Sequence, residues 1–402
     1  MSRKLNPVSH SQTFIGQPSG LLNSNKQNQS TLTSRSFMTN NRRILGLDKQ
    51  ELTASISIGD LNGDGINDVV VANGRHWPQQ NYLFFNYGKQ GKVNFTVQRP
   101  LGLNLSTSYA AVPADLDGDG DLDIAVGNDN APNRMFFNDG QGVFYEAGSF
   151  GYISSLRSLT LADIDHDGDI DILIPCRGAP NQIAINSGSG EFPDADIRTF
   201  GTGIDKTIDV AVVDWDGDEH LDLVLANRVN DPNVILLNDR KGNFSDKQIL
   251  HDSEGLNSRA VAIADMNGDK NLDIIIGNIG DRNQIYFGNG SGGIIEVQEF
   301  GYADGQTYDV VTGDVDNDGD IDLIVGNLMS THHKNQKNIV YINRGDGKEF
   351  DVIPFDPGNA PNYVGSPTYG VSVGDLNQDD FLDIVVANSG DFNRFYMNEA
   401  IA

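Results

Sequence analysis

Cysteine is nearly absent: Cys176 is the single one in 402 residues. No intramolecular disulfide can staple the fold, and no second cysteine or nearby histidine makes a zinc signature with it. Its expected role is that of a small buried apolar side chain. No run approaches the roughly 18 apolar residues of a spanning helix, so a soluble or at most peripheral protein without a transmembrane segment is expected. A secretory signal is missing too, since Met1–Gln12 is mostly polar and Phe14–Leu22 is broken by glycine and proline. Bases are scarce, 28 against 56 acids for a formal charge of −28. That excess excludes nucleic-acid binding through general phosphate attraction and opposes anionic membrane surfaces. Acids are themselves absent from residues 1–47, which carry Arg3, Lys4, Lys26, Arg35, Arg42 and Arg43. A disordered polar tail is expected over residues 1–35, where asparagine, serine, glutamine and threonine dominate. No nucleophile elbow, zinc motif or phosphate loop appears.

What is present is a repeat. Nine-residue acidic segments begin at Asp60 (DLNGDGIND), Asp115 (DLDGDGDLD), Asp163 (DIDHDGDID), Asp214 (DWDGDEHLD), Asp265 (DMNGDKNLD), Asp314 (DVDNDGDID) and Asp375 (DLNQDDFLD). They occupy 60–68, 115–123, 163–171, 214–222, 265–273, 314–322 and 375–383, at intervals of 55, 48, 51, 51, 49 and 61 residues. A strand of small residues precedes each segment, and a β-rich run, a turn flanked by asparagine, a third strand, a glycine-rich turn and a fourth strand follow. No unit holds ten residues of helical periodicity, which excludes an α-solenoid. The expected fold is all-β, a seven-bladed β-propeller of four-stranded antiparallel blades over residues 36–402. The seventh unit ends after its third strand, whereas Ser36–Leu45 sits where a fourth strand should precede the first loop. The spacing therefore predicts that residues near Phe37–Leu47 complete blade seven and close the ring, because an unpaired strand edge would otherwise face outward.

Positions one, three, five and nine of every segment are Asp or Asn. They are Asp60, Asn62, Asp64 and Asp68; Asp115, Asp117, Asp119 and Asp123; Asp163, Asp165, Asp167 and Asp171; Asp214, Asp216, Asp218 and Asp222; Asp265, Asn267, Asp269 and Asp273; Asp314, Asp316, Asp318 and Asp322; Asp375, Asn377, Asp379 and Asp383. The seven segments hold 30 of the 56 acids, and carboxylates so close repel unless a cation lies among them. Calcium fits, since it takes six to eight oxygens in flexible geometry, whereas magnesium is stricter and soft metals want Cys or His. An EF-hand ends on a bidentate Glu and enters a helix; here Asp at position nine opens an apolar strand. Gly65, Gly120, Gly168 and Gly319 at position six suit a left-handed backbone. Glu219, Lys270 and Asp380 replace them in loops four, five and seven, where weaker binding is expected.

The DxDxDGxxD loop between the first two strands of each unit resembles the FG-GAP, or VCBS-type, repeat, over about residues 36–400. The family's literal words survive in part as Phe150-Gly151, Phe200-Gly201, Phe300-Gly301 and Gly178-Ala179-Pro180. That repeat builds the seven-bladed propeller of integrin α subunits and of many bacterial surface proteins. The resemblance implies that the calcium loops share one face and that the 2–3 and 4–1 connections form an opposite, ligand-binding face. The longest 2–3 connections are Gly74–Gln80, with His76 and Trp77, and Leu328–Lys337, with His332 and His333. Six residues before each loop stand Ala54, Tyr109, Arg157, Ile208, Arg259, Tyr308 and Tyr369, about 20 Å from the loops at ~3.3 Å per strand residue. Trp77, Tyr109, Arg157, Arg259, Tyr308 and Tyr369 are the ligand-face candidates, for a sugar, an acidic group or a peptide. In the alternative reading these side chains plug the channel and pair with Asp209 and Asp309.

Two functions are compatible with this. The first is a calcium-binding, non-catalytic recognition or adhesion module for protein or carbohydrate ligands, monomeric and placed outside the cell or at its surface, where calcium is abundant. The second is a propeller enzyme such as a calcium-dependent polysaccharide lyase or hydrolase. Catalysis needs a base and an electrophilic partner at the channel mouth, and only His76, His332, His333 and scattered Tyr and Arg are offered. The binding module is the reading adopted.

Overall fold

Apolar runs such as Val69–Val71 and Ile274–Ile276 need cover on both faces, because a strand turns alternate side chains to opposite sides. Stacked blades supply it. A computed structural model describes residues 8–9, 35–40, 42–46, 51–89, 91–229, 231–329, 336–355 and 367–401. The strands form seven antiparallel sheets; blades one to six each take their four strands in chain order, and in blade seven an N-terminal strand stands in the fourth place. Blade one comprises Thr53–Gly59, Asp68–Asn73, Gln79–Phe85 and Val97–Ser106. First strands touch those of both neighbouring blades all round the ring, Thr368–Gly374 of blade seven meeting Thr53–Gly59 of blade one. Blade three has a short first strand, Thr160–Ala162, against which a two-residue strand, Val8–Ser9, pairs. Of the expected tail, Arg35 belongs to the closing strand, and the remainder lies outside the described residues, as do His332 and His333. No helix among the described residues is long and apolar enough to cross a membrane.

The ring closes as the spacing predicts. Arg35–Met38 pairs antiparallel with Asn393–Ala400, Arg35 opposite Ala400 and Met38 opposite Met397. Ile44–Leu45 returns to pair with Arg394 and Asn393. Phe37 is buried beside Phe355 of blade six, the ring centroids 6.1 Å apart, and Phe355 stacks edge-on to Tyr396 at 5.0 Å. The N-terminal strand thus supplies both hydrogen bonds and apolar packing to the last blade.

The core is divided into seven apolar layers, one per seam between adjacent blades. Between blades four and five, for example, Val213, Trp215, Val224 and Ile235 meet Val261, Ile274, Ile276 and Tyr286. Each fully buried Val, Leu or Ile stabilises by about 1.5–3 kcal/mol relative to exposure. Cys176 is fully buried, its Sγ 3.2 Å from Ser154 Oγ; burial pushes the thiol pKa up.

Two belts of asparagine join the blades at opposite rims. On the loop side, Asn86, Asn138, Asn186, Asn343 and Asn398 at the end of the third strand reach the carbonyls of Leu376, Leu61, Leu116, Met266 and Val315 in the preceding blade's loop. On the far side, Asn81, Asn181, Asn233, Asn338 and Asn393 donate to Ser108, Thr207, Ser258, Thr368 and Thr53 of the following blade. Every seam carries at least one such bond. Blade five has Gly288 where the loop-side asparagine would stand, and a Cβ there would lie 2.9 Å from the Trp215 ring of blade four. The large indole occupies the space that the staple fills elsewhere.

Candidate metal centres and the channel mouth

Each acidic segment winds around its own first aspartate. In all seven loops the sixth residue's N–H donates to Oδ2 of the first Asp, over 2.8 Å from Gly65 to Asp60 and 3.1 Å from Gly120 to Asp115. The seventh residue's N–H donates to Oδ1 of the fifth. This winding needs positive φ at position six, and every copy has it: 82° at Gly65, 99° at Gly120, 71° at Glu219 and Lys270, 66° at Asp380. A side chain in that region costs about 1–2 kcal/mol. Position four is left-handed too, with His166, Asn317 and Gln378 at 62°, 59° and 62°, and glycine stands there in the other four loops.

The winding gathers carboxylates. One oxygen each of Asp115, Asp117 and Asp123 lies within 4.8 Å of the others, and the same holds for Asp163, Asp165 and Asp171, for Asp314, Asp316 and Asp322, and for Asp214, Asp216 and Asp218. Loops one, five and seven carry Asn62, Asn267 and Asn377 at position three, so their sets mix amide with carboxylate oxygens. Asp165 Oδ1 and Asp316 Oδ1 are buried with no hydrogen-bond partner, which is costly for a carboxylate unless a cation faces it. An all-oxygen donor set with such orphaned atoms fits calcium. Positions one, three, five and nine are the residues that would hold it.

The loops differ at position five. Arg240 Nε donates to Asp218 Oδ2 over 2.8 Å in loop four. In loops five and seven the amide of position three does the same, Asn267 to Asp269 at 3.2 Å and Asn377 to Asp379 at 3.1 Å. In these loops the second oxygen of the position-five carboxylate already accepts a side-chain hydrogen bond. Slight burial pulls the Asp218 pKa up, but the Arg240 hydrogen bond, the His220 N–H and the Arg240 charge outweigh it and hold it below the usual range. In loop three Arg198 reaches Asp165 Oδ2 at 3.2 Å.

The ninth residue has two tasks. Its Oδ2 accepts the N–H of the loop's second residue. Its Oδ1 accepts the N–H of Asn86, Asn138, Asn186, Asn238, Gly288, Asn343 or Asn398 at the end of the third strand. Second lone pairs remain on both oxygens for a metal. Burial, reinforced by loop-mate carboxylates and opposed by those N–H groups, pushes the pKa to about 7 at Asp68, Asp171 and Asp383, about 6 at Asp123, Asp222 and Asp273, and about 8 at Asp322.

At the far end of the first strands, a β-bulge falls at the same place in six blades. Thr53 pairs with Asn73 and Ser55 with Ala72, leaving Ala54 as the extra residue; Tyr109, Ile208, Arg259, Tyr308 and Tyr369 are extra in their blades. Bulges re-aim side chains, and here they set the ring. Arg259 lies 5.7 Å from the Tyr308 ring, Tyr308 stacks edge-on to Tyr369 at 4.6 Å, and Arg75 lies 3.8 Å over Tyr369. His76 Nδ1 is 3.4 Å from Tyr109 Oη, and Arg157 lies 4.1 Å over the Tyr109 ring while bonding Asp129 Oδ1 at 2.8 Å. Tyr109, Arg259 and Tyr369 are buried, whereas Trp77 is 72% exposed. Asp209 and Asp309 accept the N–H groups of Val261 and Val371 in following blades, so these carboxylates tie neighbouring blades together around the channel. Sequence reasoning missed Arg75, Arg228 and Arg240, and it also missed the asparagine staples. Only the staples had a signal, since asparagine recurs at the end of the third strand in every unit but the fifth.

Strand order, ring closure and loops together define a class, the seven-bladed propeller with an acidic loop between the first two strands of each blade. The chain belongs to the FG-GAP-like repeat family, which it matches over residues 60–126, 115–174, 214–276 and 265–325. It is similar to cartilage acidic protein 1 of mouse and of human, 25% identical to each over 171 residues, which is 41% of this chain and 26% of either relative. Among solved structures it resembles BBS1N in complex with ARL6DN, soaked with mercury, with a TM-score of 0.56 at 13% identity, covering 92% of this chain and 99% of that one. It also resembles the WD40 β-propeller domain of Doa1, at 0.54 and 10%, covering 92% and 97%. These last likenesses are of fold alone.

Proposed function

We propose that the chain is a calcium-stabilised, non-catalytic recognition module that binds a protein or carbohydrate ligand on the face opposite its acidic loops. The observation that carries this is the division of the molecule into two faces. One face gathers oxygen cages suited to calcium. The other presents Trp77, Leu103, Leu105, Ile153 and Ile204, all more than half exposed, on connections and strand ends from blade one to blade four. Exposed apolar side chains in such number on one rim of an acidic protein mark an interaction surface. Calcium offsets the repulsion among carboxylates within each loop and so steadies the blades that carry the far rim. A setting outside the cell or at its surface follows from the calcium such loops require.

Ligands that bind only the native state raise its stability by mass action, so the melting temperature should rise substantially between chelator and millimolar calcium; equal values in both would sink the metal half. A glycan array, read beside a polysaccharide-cleavage assay, tests the other half, and cleavage would overturn the non-catalytic reading.

A further inference from the structure

Arginine is concentrated at the channel mouth in a chain where acids outnumber bases two to one. Arg259 comes from the start of the first strand of blade five, and Arg157 from the segment just before the first strand of blade three. Arg75, Arg177 and Arg228 lie within three residues of the ends of the second strands of blades one, three and four. Arg259 is only 5% exposed and the Arg157 side chain 13%. Arg75 Nε and Arg228 Nε are buried with no hydrogen-bond partner. Burial first, then the guanidiniums of Arg259, Arg177 and Arg157, lower the pKa of Arg228, so these cations are close enough to repel.

Among the described residues, three carboxylates, Asp129, Asp209 and Asp309, act on these five arginines. Asp129 engages Arg157 through one oxygen, which also accepts Asn130 Nδ2 at 3.1 Å. Asp209 and Asp309 each accept a backbone N–H from another blade. Both raise the pKa of Arg259, whose burial nevertheless lowers it on balance. Buried like charges with unmatched donors are costly, and guanidinium forks match planar or tetrahedral oxyanions. Tyr308 and Tyr369 stand between Arg259 and Arg75 with rings in contact, giving an apolar wall beside the donors.

We propose that the channel mouth is an oxyanion-binding site, in which Arg157, Arg228 and Arg259 bind a sulfate, phosphate or carboxylate group. The proposal deepens the recognition reading, because it assigns the ligand a negatively charged group that enters the mouth.

The test uses the full chain in calcium, with sulfate, phosphate and glucuronate compared against chloride at matched ionic strength, since any salt relieves self-repulsion in so acidic a protein. At least one oxyanion should raise the melting temperature above its chloride control and bind by calorimetry, and which of the three does so identifies the group. Arg228→Gln, at a half-buried position, should weaken that binding about tenfold or more, as expected for a lost charge-assisted hydrogen bond. Arg157→Gln is the second variant, should the first fail to fold. If no oxyanion differs from chloride, or if the folded variants bind undiminished, the site is overturned. Melting in calcium and in chelator is recorded in the same series. A calcium response without an oxyanion response overturns this site alone, and the converse overturns the calcium reading alone.

Discussion

At position five of each loop, the second carboxylate oxygen decides how much a cation adds. Asp119 has its Oδ1 on the N–H of Asp121, and no side-chain donor among the described residues reaches its Oδ2. Asp269 spends Oδ1 on the N–H of Asn271 and Oδ2 on Asn267 Nδ2, with Lys270 alongside. In calcium, Asp119→Ala should therefore destabilise by about 1–3 kcal/mol, as for loss of a bond to a charged group, and Asp269→Ala clearly less. In chelator the gap should narrow, because what separates the two sites is the metal. Urea denaturation of both variants, with and without calcium, measures this. Equal losses in calcium would show that position five is used alike in all loops.

The element that most tests the fold is the N-terminal strand. Arg35–Met38 covers the hydrogen-bonding edge of Asn393–Ala400, and Phe37 fills the seam between blades six and seven. Arg35 adds bonds to Asn398 Oδ1 at 2.8 Å and to its carbonyl at 2.9 Å. Asn398 is also the staple to Val315, so loss of the strand would weaken this one seam in both its apolar packing and its hydrogen bonding. Deleting residues 1–30 should leave melting nearly unchanged, as among the described residues it removes one two-residue pairing with Thr160 and Leu161. Deleting residues 1–47 should cut soluble yield and calcium-dependent melting severely, through opening of the ring or edge-to-edge association. A 1–47 deletion as soluble and stable as the full chain would refute closure by this strand.

At the scale of the whole molecule, the seven-fold plan was legible because one register of Asp and Asn recurs seven times, and ring closure was legible because the last unit lacks a strand that the first supplies in advance. What could not be read were contacts between positions far apart in sequence: Arg240 reaching back to Asp218, Trp215 displacing a staple at Gly288, and the bulges that turn Tyr109, Arg259, Tyr308 and Tyr369 toward the channel. Sequence reading likewise treated the ninth aspartates as ligands alone, whereas each also fastens its loop to the third strand. Their burial, which outweighs those N–H bonds, sets the pH response of the calcium-free chain. Their folded pKa values, about 6 to about 8, lie above the unfolded value of about 3.9, so the native state holds these protons more tightly than the unfolded state does. The resulting stability is fully present below about pH 4 and is lost as pH rises through the folded values. Self-repulsion of the growing negative charge acts in the same direction. Dialysed free of calcium, the chain should therefore melt at progressively lower temperature from about pH 5 to about pH 8. Saturating calcium should oppose that slope, because a metal competes with protons for the same oxygens and binds better as they leave. Melting temperature against pH, with and without calcium, decides the point: a calcium-free curve that is flat or rises across that range would show that the ninth aspartates are charged in the native state without any metal.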